Sequence, residues 1–295
     1  MTTNPHSASA ALTVVVLSYN EEANLPACIA SLRGLKCELH VVDSGSTDRT
    51  LDIARAGGAS VTSHPFENYA MQRNWAQREL PIRSEWVLHL DADERLTPEL
   101  VDEIDSVLAN PPANVNGFLL RKRTVFMGRW IKHGGQYPAY HLRLFRKNCG
   151  ACEDRLYDQH FLVQGRVDQL EHDYIDVLTA DIRTWTIRHA RWAELEATEM
   201  QEPTGGPGRV RGAFFGSPIE RKRWLRETPY RGSPLFVRAF LYWFYRYVLR
   251  LGFLDGPEGM IFHFLQGFWY RFLIDVKLYE HQQKRRLDVR RDALV

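Results

Sequence analysis

The chain lacks the glycine loops that hold phosphate in the commonest nucleotide enzymes. No G-x-G-x-x-G follows its first apolar run, and no G-x-x-x-x-G-K-[ST] occurs anywhere in its 295 residues. Such loops cradle phosphate with backbone amides at a helix N-terminus, so their absence argues against dinucleotide-dependent hydride transfer and P-loop chemistry. Four cysteines are too few for a disulfide scaffold of this length, and reduced thiols in a cytosolic setting are expected. Cys149-Gly150-Ala151-Cys152 is a C-x-x-C, but zinc needs two more ligands, and Cys28 and Cys37 lie in the sheet-building half. A net charge of +2 supplies no field for nucleic acid. No uncharged apolar run reaches the roughly 18 residues of a spanning helix. Residues 1–11 are small and polar with no basic stretch ahead of an apolar core, so a disordered N-terminus without a secretory signal is expected.

What is present is a regular alternation. Leu12–Leu17, Leu39–Val42, Ala59–Ser63 and Trp86–Leu90 are short β-rich runs. Between them lie helical patterns: Leu25, Ile29 and Leu32, then Leu51, Ile53 and Ala54, then Asn68 to Arg78. Thr97-Pro98-Glu99 opens another helix, with proline at its first position. Short connections of this kind imply βαβ units, a mostly parallel sheet and an α/β fold. From Gly117 the order loosens, and Gln201–Pro218 is rich in Gly and Pro, a candidate linker or lid.

Polar clusters follow three of the runs. Ser18, Asn20 and Glu21 follow the first, Asp43 the second, and Asp91-Ala92-Asp93-Glu94 the fourth. In a parallel sheet these strand ends share one edge, where ligands bind. Carboxylates cannot hold phosphate directly, but two of them spaced by one residue can share a divalent cation that does. Asp43 can accept hydrogen bonds from a base or ribose, or can instead close an Asx-turn. The pattern points to metal-assisted group transfer from a nucleoside diphosphate.

The stretches Val14–Glu22, Val41–Asp48 and Leu90–Glu94, in that order, resemble the family 2 glycosyltransferases of the GT-A fold, over roughly residues 12 to 200. Within that family the chain is most similar to bacterial lipopolysaccharide-core and exopolysaccharide glycosyltransferases. The resemblance implies an inverting transfer from a nucleotide sugar, a UDP-hexose donor, with Mg²⁺ or Mn²⁺ on the diphosphate. It places Ser18, Asn20, Glu21 and Asp43 around the nucleotide, and Gln72, Arg73 and Asn74 near the ribose and diphosphate. It places Asp91 at the ribose or donor sugar, with Asp93 and Asp91 at the metal and His172 completing that site. His141–Arg146 matches a basic strand of the family. Where many relatives carry His-Glu as the base region, this chain has Glu153, Asp154 and Asp158, and Asp158 is the nearest equivalent of the relatives' acid. A sugar-nucleotide pyrophosphorylase would need a Gly-rich first loop with a basic residue, which is absent. A non-catalytic nucleotide-sugar-binding scaffold is the alternative that the missing His-Glu leaves open.

Residues 218–280 are expected to form an aromatic-rich helical region, and 281–295 a charged tail. In Leu235–Leu251 the arginines Arg238, Arg246 and Arg250 fall within about 120° of one another at about 100° per residue. Read as an interfacial hairpin, this region sets aromatics into a membrane and arginines at phosphate level. The expected partners are a nucleotide-sugar donor and a lipid-linked saccharide acceptor, at the inner face of the bacterial inner membrane, with no nucleic acid.

Overall fold

The computed structural model describes residues 11–156, 158–178, 181–201 and 208–292. The first half runs β1 (Leu12–Ser18), α1 (Leu25–Ser31), β2 (Cys37–Asp43), α2 (Thr50–Ala56), β3 (Ser60–Ser63), α3 (Tyr69–Glu79), β4 (Trp86–Asp91), β5 (Glu94–Leu96) and α4 (Pro98–Ala109). Then come β6 (Val115–Phe126), β7 (Arg129–Trp130), β8 (Ala139–Arg146), β9 (Gly150–Cys152), β10 (Phe161–Val163) and β11 (Arg166–Leu178). The remainder is helical: α5 (Ile182–Glu199), α6 (Pro218–Leu225), α7 (Val237–Phe244), α8 (Gly256–Phe262) and α9 (Tyr270–Asp292).

The main sheet has the order β3-β2-β1-β4-β8-β6-β11-β5, with β7 on β6, while β9 and β10 form a separate pair. The first four strands are parallel, as the alternation predicts. Beyond them the sheet departs from the parallel expectation: β8 is antiparallel to β4, and β11 to β5. From β6 to β11 no helix intervenes, and a parallel partner needs such a crossover. β1 is buried along its whole length. Its Leu12, Val14 and Val16 pack with Leu88, Leu100 and Ile104, while Val15 and Leu17 pack with Ala76 and Leu80 on the other face. Two buried faces explain why this strand is continuously apolar. Asn68 caps α3 by accepting from the Met71 N–H, and Thr97 caps α4 by accepting from the Leu100 N–H, each at the predicted helix start.

The chain forms two compact units. The first holds the described residues up to Lys122, with Tyr140–Glu153 and His160–Val177. The second holds Arg123–Ala139, Asp154–Gln159 and the described residues from Leu178 onward. The sequence places the end of the catalytic domain at residue 200; α5 instead belongs to the second unit. Its Ala193 and Ala197 pack on Tyr270, Ile274 and Leu278 of α9, so small residues on one helix admit large ones from the other. Of the candidate linker at 201–217, residues 202–207 lie outside the described residues, as do 1–10 and 293–295 of the expected N-terminus and tail. The helix α9 continues through most of the stretch read as a charged tail.

Among the described residues no helix is long and apolar enough to cross a membrane. The predicted arginine face is there, but it points the other way. Arg238 is buried against Asp275 of α9. Arg246 is buried too, donating from Nε to the Gly134 carbonyl at 2.9 Å. Only Arg250 of the three is exposed. A helix turns its charges inward when a partner carboxylate or carbonyl waits there, because an ion pair left without its partner is costly to bury. The outward side is therefore apolar: Phe240, Leu241, Phe244 and Leu249 are each between 39% and 62% exposed.

Candidate active site

The ends of β1 and β2 are tied into one wall. Asn20, at φ 54°, takes the left-handed conformation that asparagine tolerates better than most residues. Its N–H donates to the Ser46 hydroxyl at 2.8 Å and its side-chain oxygen accepts from the Thr47 N–H at 2.8 Å. The Glu21 N–H donates to the Thr50 hydroxyl at 2.8 Å, and the Glu21 carboxylate accepts from Asn24 at 2.7 Å.

Asp43 is fully buried in this wall. It accepts from the Ser18 hydroxyl at 3.0 Å, the Gly45 N–H at 2.9 Å, the Ser46 N–H at 2.8 Å and the Ser46 hydroxyl. A carboxylate has about four lone-pair sites, so these bonds saturate it. Of the two readings of Asp43, these contacts are those of the turn: it holds the loop after β2, and Ser18 bonds to it.

The helix α3 supplies the next layer. Gln72 is buried between the His64 ring at 2.7 Å and the Ser44 hydroxyl at 3.3 Å. Asn74 pairs in both directions with the Cys152 backbone, at 2.9 and 2.8 Å. Both are thus structural braces here, where the sequence suggested contacts with ribose and diphosphate. Arg73 turns to the end of β4, gripping both oxygens of Asp91 at 2.9 and 3.0 Å. Arg143 of β8, in the predicted basic strand, meets Asp91 at 3.1 Å and also contacts Glu94. Glu94 in turn accepts from the Asp91 N–H at 2.9 Å.

The carboxylates of the D-x-D motif therefore live in opposite fields. Burial would raise Asp91, but the Arg73 and Arg143 guanidiniums overcome it and hold this carboxyl well below its usual range. For Asp93, burial and then the Asp176, Asp91, Glu94 and Glu21 carboxylates all push the same way, well above the ordinary value. Burial likewise lifts Glu94 to about 7 against the pull of Arg143, with Asp91 and Asp176 adding to the rise. Lys122 reaches Asp176 at 2.9 Å. In this cluster Asp93 lies among the Asp91, Glu94, Asp176 and Glu21 carboxylates, while Arg73 and Arg143 pair with Asp91 and Lys122 with Asp176.

Among the described residues no three His, Cys, Asp or Glu side chains converge into a complete cage. Mg²⁺, however, commonly takes one or two carboxylates and completes its shell with substrate phosphates and water. Asp91 and Asp93 both keep a solvent-accessible edge, so the residues present fit such a half-site.

His172 does not belong to it. Its Nδ1 pairs with Glu103 of α4 at 2.9 Å, and its ring is 45% exposed. The Val177 N–H, not His172, meets the Asp93 carbonyl at 3.0 Å. Five residues of strand, roughly 16 Å, separate the two positions. Asp176 is the β11 side chain beside Asp93, through the register Asp176↔Glu94. Sequence reasoning missed Asp176 because that pairing joins strands about 80 residues apart, with no local signal.

The three base candidates differ in their surroundings. Glu153, in the first unit, is buried and accepts from the His160 N–H at 2.9 Å and Nδ1 at 3.1 Å. Asp158, in the second unit, sits at φ 55° with its carboxylate on Arg226. Asp154 is exposed in the second unit.

Against this geometry, the family model described as Glycosyl transferase family 2 matches residues 13–161, just over half of the chain. The chain belongs to glycosyl transferase family 2. The match covers the ends of β1, β2 and β4, stops within β10, and leaves Asp176 of β11 outside. An uncharacterised glycosyltransferase of Rickettsia bellii is 26% identical over 276 residues, covering 91% of this chain and 86% of that protein. A lipopolysaccharide core biosynthesis glycosyltransferase of Rhizobium meliloti is 31% identical over 145 residues, 47% of this chain and 52% of that one. In three dimensions this glycosyltransferase resembles a mannosyltransferase of Pyrobaculum calidifontis solved with GDP-Man and Mn²⁺, with a TM-score of 0.52 at 16% identity over 92% and 88% of the two chains. That likeness shows the GT-A fold of the glycosyltransferase; the helical C-terminal region completes its architecture.

Proposed function

We propose that this glycosyltransferase moves a hexose, with inversion, from a nucleoside-diphosphate sugar to a lipid-linked glycan of lipopolysaccharide or exopolysaccharide biosynthesis. The observation that carries the reading is the crowding of carboxylates around Asp93 at the strand ends. A diphosphate is itself anionic and would be repelled there unless a cation joined them. Asp93 would hold the cation, with Asp91 and Asp176 beside it. When bound, Mg²⁺ or Mn²⁺ neutralises the diphosphate and makes it a better leaving group.

The chain's own residues do the rest. Asn20, Ser46 and Thr47 hold the nucleotide wall rigid, so little ordering is left to binding. Arg73 and Arg143 keep Asp91 ionised and aimed, ready to accept from a sugar or ribose hydroxyl. The Rhizobium relative's role in lipopolysaccharide core biosynthesis, and the GDP-Man and Mn²⁺ of the Pyrobaculum enzyme, agree with this donor, metal and pathway class.

For the acceptor side, the second unit exposes Phe240, Leu241, Phe244, Leu249, Phe253 and Leu254. Exposed apolar area on that scale suits a bilayer surface better than bulk water. The unit would rest on the cytoplasmic leaflet by these side chains, with Arg250 rather than Arg238 or Arg246 at the headgroups.

A panel of nucleotide sugars with Mg²⁺ or Mn²⁺ and a membrane extract tests the reading. Release of a nucleoside diphosphate that depends on donor, acceptor extract and metal is expected. Binding of the donor with no release over many hours would instead support a non-catalytic scaffold.

A further inference from the structure

Arg238 of the second unit is buried with a carboxylate, Asp275. Arg246 is 5% exposed, and among the described residues its partners are a carbonyl and a phenol instead. Its Nε donates to the Gly134 carbonyl at 2.9 Å, its Nη1 to the Tyr242 hydroxyl at 3.5 Å, and its Nη2 is buried with no partner among the described residues. The Gly134 carbonyl is therefore held inward. A trans peptide is planar, with its N–H directed opposite to its carbonyl, so the Gly135 N–H of the same peptide points outward. Gly135 is exposed, and among the described residues nothing accepts from that N–H.

The turn around this peptide is fixed from several sides. The Gly134 N–H donates to the Arg250 carbonyl at 2.9 Å, and the Gln136 N–H to the His133 carbonyl at 3.2 Å. Asp255 accepts from the His133 N–H at 2.8 Å and meets its Nδ1 at 2.6 Å. Gly134 and Gly135 take φ of 67° and 72°, which glycine adopts without strain. A Cβ on Gly135 would lie 4.0 Å from Cζ of Arg250, so that guanidinium sits beside the outward N–H. Arg250 is exposed and bonds through Nη1 to the Tyr245 hydroxyl at 3.2 Å, so its charge has no carboxylate among the described residues. An open backbone N–H and a guanidinium at one residue are donors suited to the oxygens of a phosphate.

We infer that the turn from His133 to Gln136, with Arg250, binds the phosphate of the acceptor's lipid anchor. This rests on the glycosyltransferase reading above and narrows its acceptor to a phosphorylated lipid. Every residue of the site belongs to the second unit. In the chain Arg250 is flanked by Leu249, Leu251, Phe253 and Leu254, all exposed. A phosphate held at Gly135 and Arg250 thus has apolar side chains next to it, as the junction of a phosphate with a hydrocarbon chain requires. Those neighbours are apolar rather than basic. The cationic character is concentrated at one point, which suits a single phosphate better than the diffuse attraction of a basic segment to a whole leaflet.

The test uses the full chain and compares wild type with Arg250→Gln and Arg250→Lys. The first readout is calorimetric binding of dihexanoyl phosphatidic acid, a soluble phosphorylated lipid. Wild type should bind it, Arg250→Gln should bind about tenfold or more weakly, and Arg250→Lys, which keeps the charge, should retain part of the affinity. Melting temperature and affinity for a nucleoside diphosphate should hold in both variants. The second readout is the amount of acceptor extract that gives half the maximal release of nucleoside diphosphate. It should rise about tenfold or more in Arg250→Gln while the donor KM holds. Equal binding of phosphatidic acid by wild type and Arg250→Gln, or none by wild type, would overturn the site. Weaker flotation of Arg250→Gln with anionic liposomes at an unchanged acceptor requirement would assign Arg250 to bulk headgroups and overturn the acceptor. Wild type that releases no nucleoside diphosphate from any donor would overturn the transfer reading, while the phosphatidic acid titration would still decide the phosphate site.

Discussion

The two units handle buried charge in opposite ways. At the strand ends of the first, Asp93 has the Asp176, Asp91, Glu94 and Glu21 carboxylates around it. In the second, Arg238 is matched by Asp275, and the buried Glu196 accepts from Arg226, from Arg271 at 2.9 Å and from Tyr270 at 3.0 Å. Charge that the fold has already matched is scaffold. Charge that it leaves unmatched, with a solvent-accessible edge, is where a ligand supplies the difference. The second unit also turns Phe240, Phe244 and Phe253 to its surroundings.

The largest effect should come from the mismatch itself. Asp93→Asn should lower transfer about a thousandfold or more, since the cation's contribution of several kcal/mol is lost. It should also leave the melting temperature unchanged or raised, because burial and repulsion make the ionised Asp93 unfavourable in the fold. Asp91→Asn should lose activity and also melt earlier, because Arg73 and Arg143 then lack their carboxylate. A drop in melting temperature for Asp93→Asn as large as for Asp91→Asn would remove the contrast between the two acids.

Next comes the matched pair of the second unit. Asp275→Asn leaves Arg238 buried without its counter-ion, at a cost of about 3–5 kcal/mol in denaturant unfolding. The double change Arg238→Met with Asp275→Leu should recover most of that loss. Neither should alter nucleotide affinity in the folded fraction. A changed affinity would show that this pair is more than scaffold.

A pH dependence follows in the same unit. Burial lowers His189 and His263 from 6.5 to about 4. The unfolded chain therefore binds protons between those values that the folded chain does not. Stability from each is full above about pH 6.5, falls as pH drops towards 4 and levels off below, by about 3 kcal/mol per group. The difference between the unfolding curves of wild type and His189→Leu, measured from pH 7 to 4, should follow that shape. A pH-independent difference would sink it.

The smallest effect should be at the aromatic surface. Phe240→Glu together with Leu249→Glu should weaken flotation with anionic liposomes about tenfold or more, from the loss of burial worth about 1–2 kcal/mol per side chain. Melting temperature should hold. Unchanged flotation would leave the exposed face without the membrane as its partner.

Much of the fold was legible because its signals are local. The four parallel strands, Asn68 and Thr97 as caps, and the D-x-D at the exit of β4 are all matters of a few consecutive residues. The misreadings concern pairings over long distances. Helical periodicity correctly groups Arg238 with Arg246, but which way that face points depends on Asp275, some 30 residues on. Asp43 has the right neighbours to meet a nucleotide, yet Ser46 and Gly45 claim its oxygens first. His172 follows a family spacing, and the β11 register brings Asp176 to the motif instead.

The most direct test of the central claim is a calorimetric titration of wild type and Asp93→Asn with a nucleoside diphosphate, with and without Mn²⁺. Wild type should bind at least tenfold more tightly with the cation, about 1.4 kcal/mol or more of coupling, and Asp93→Asn should show none. Binding by wild type that ignores the cation, or a coupling that survives in Asp93→Asn, would contradict the account of the strand-end charge.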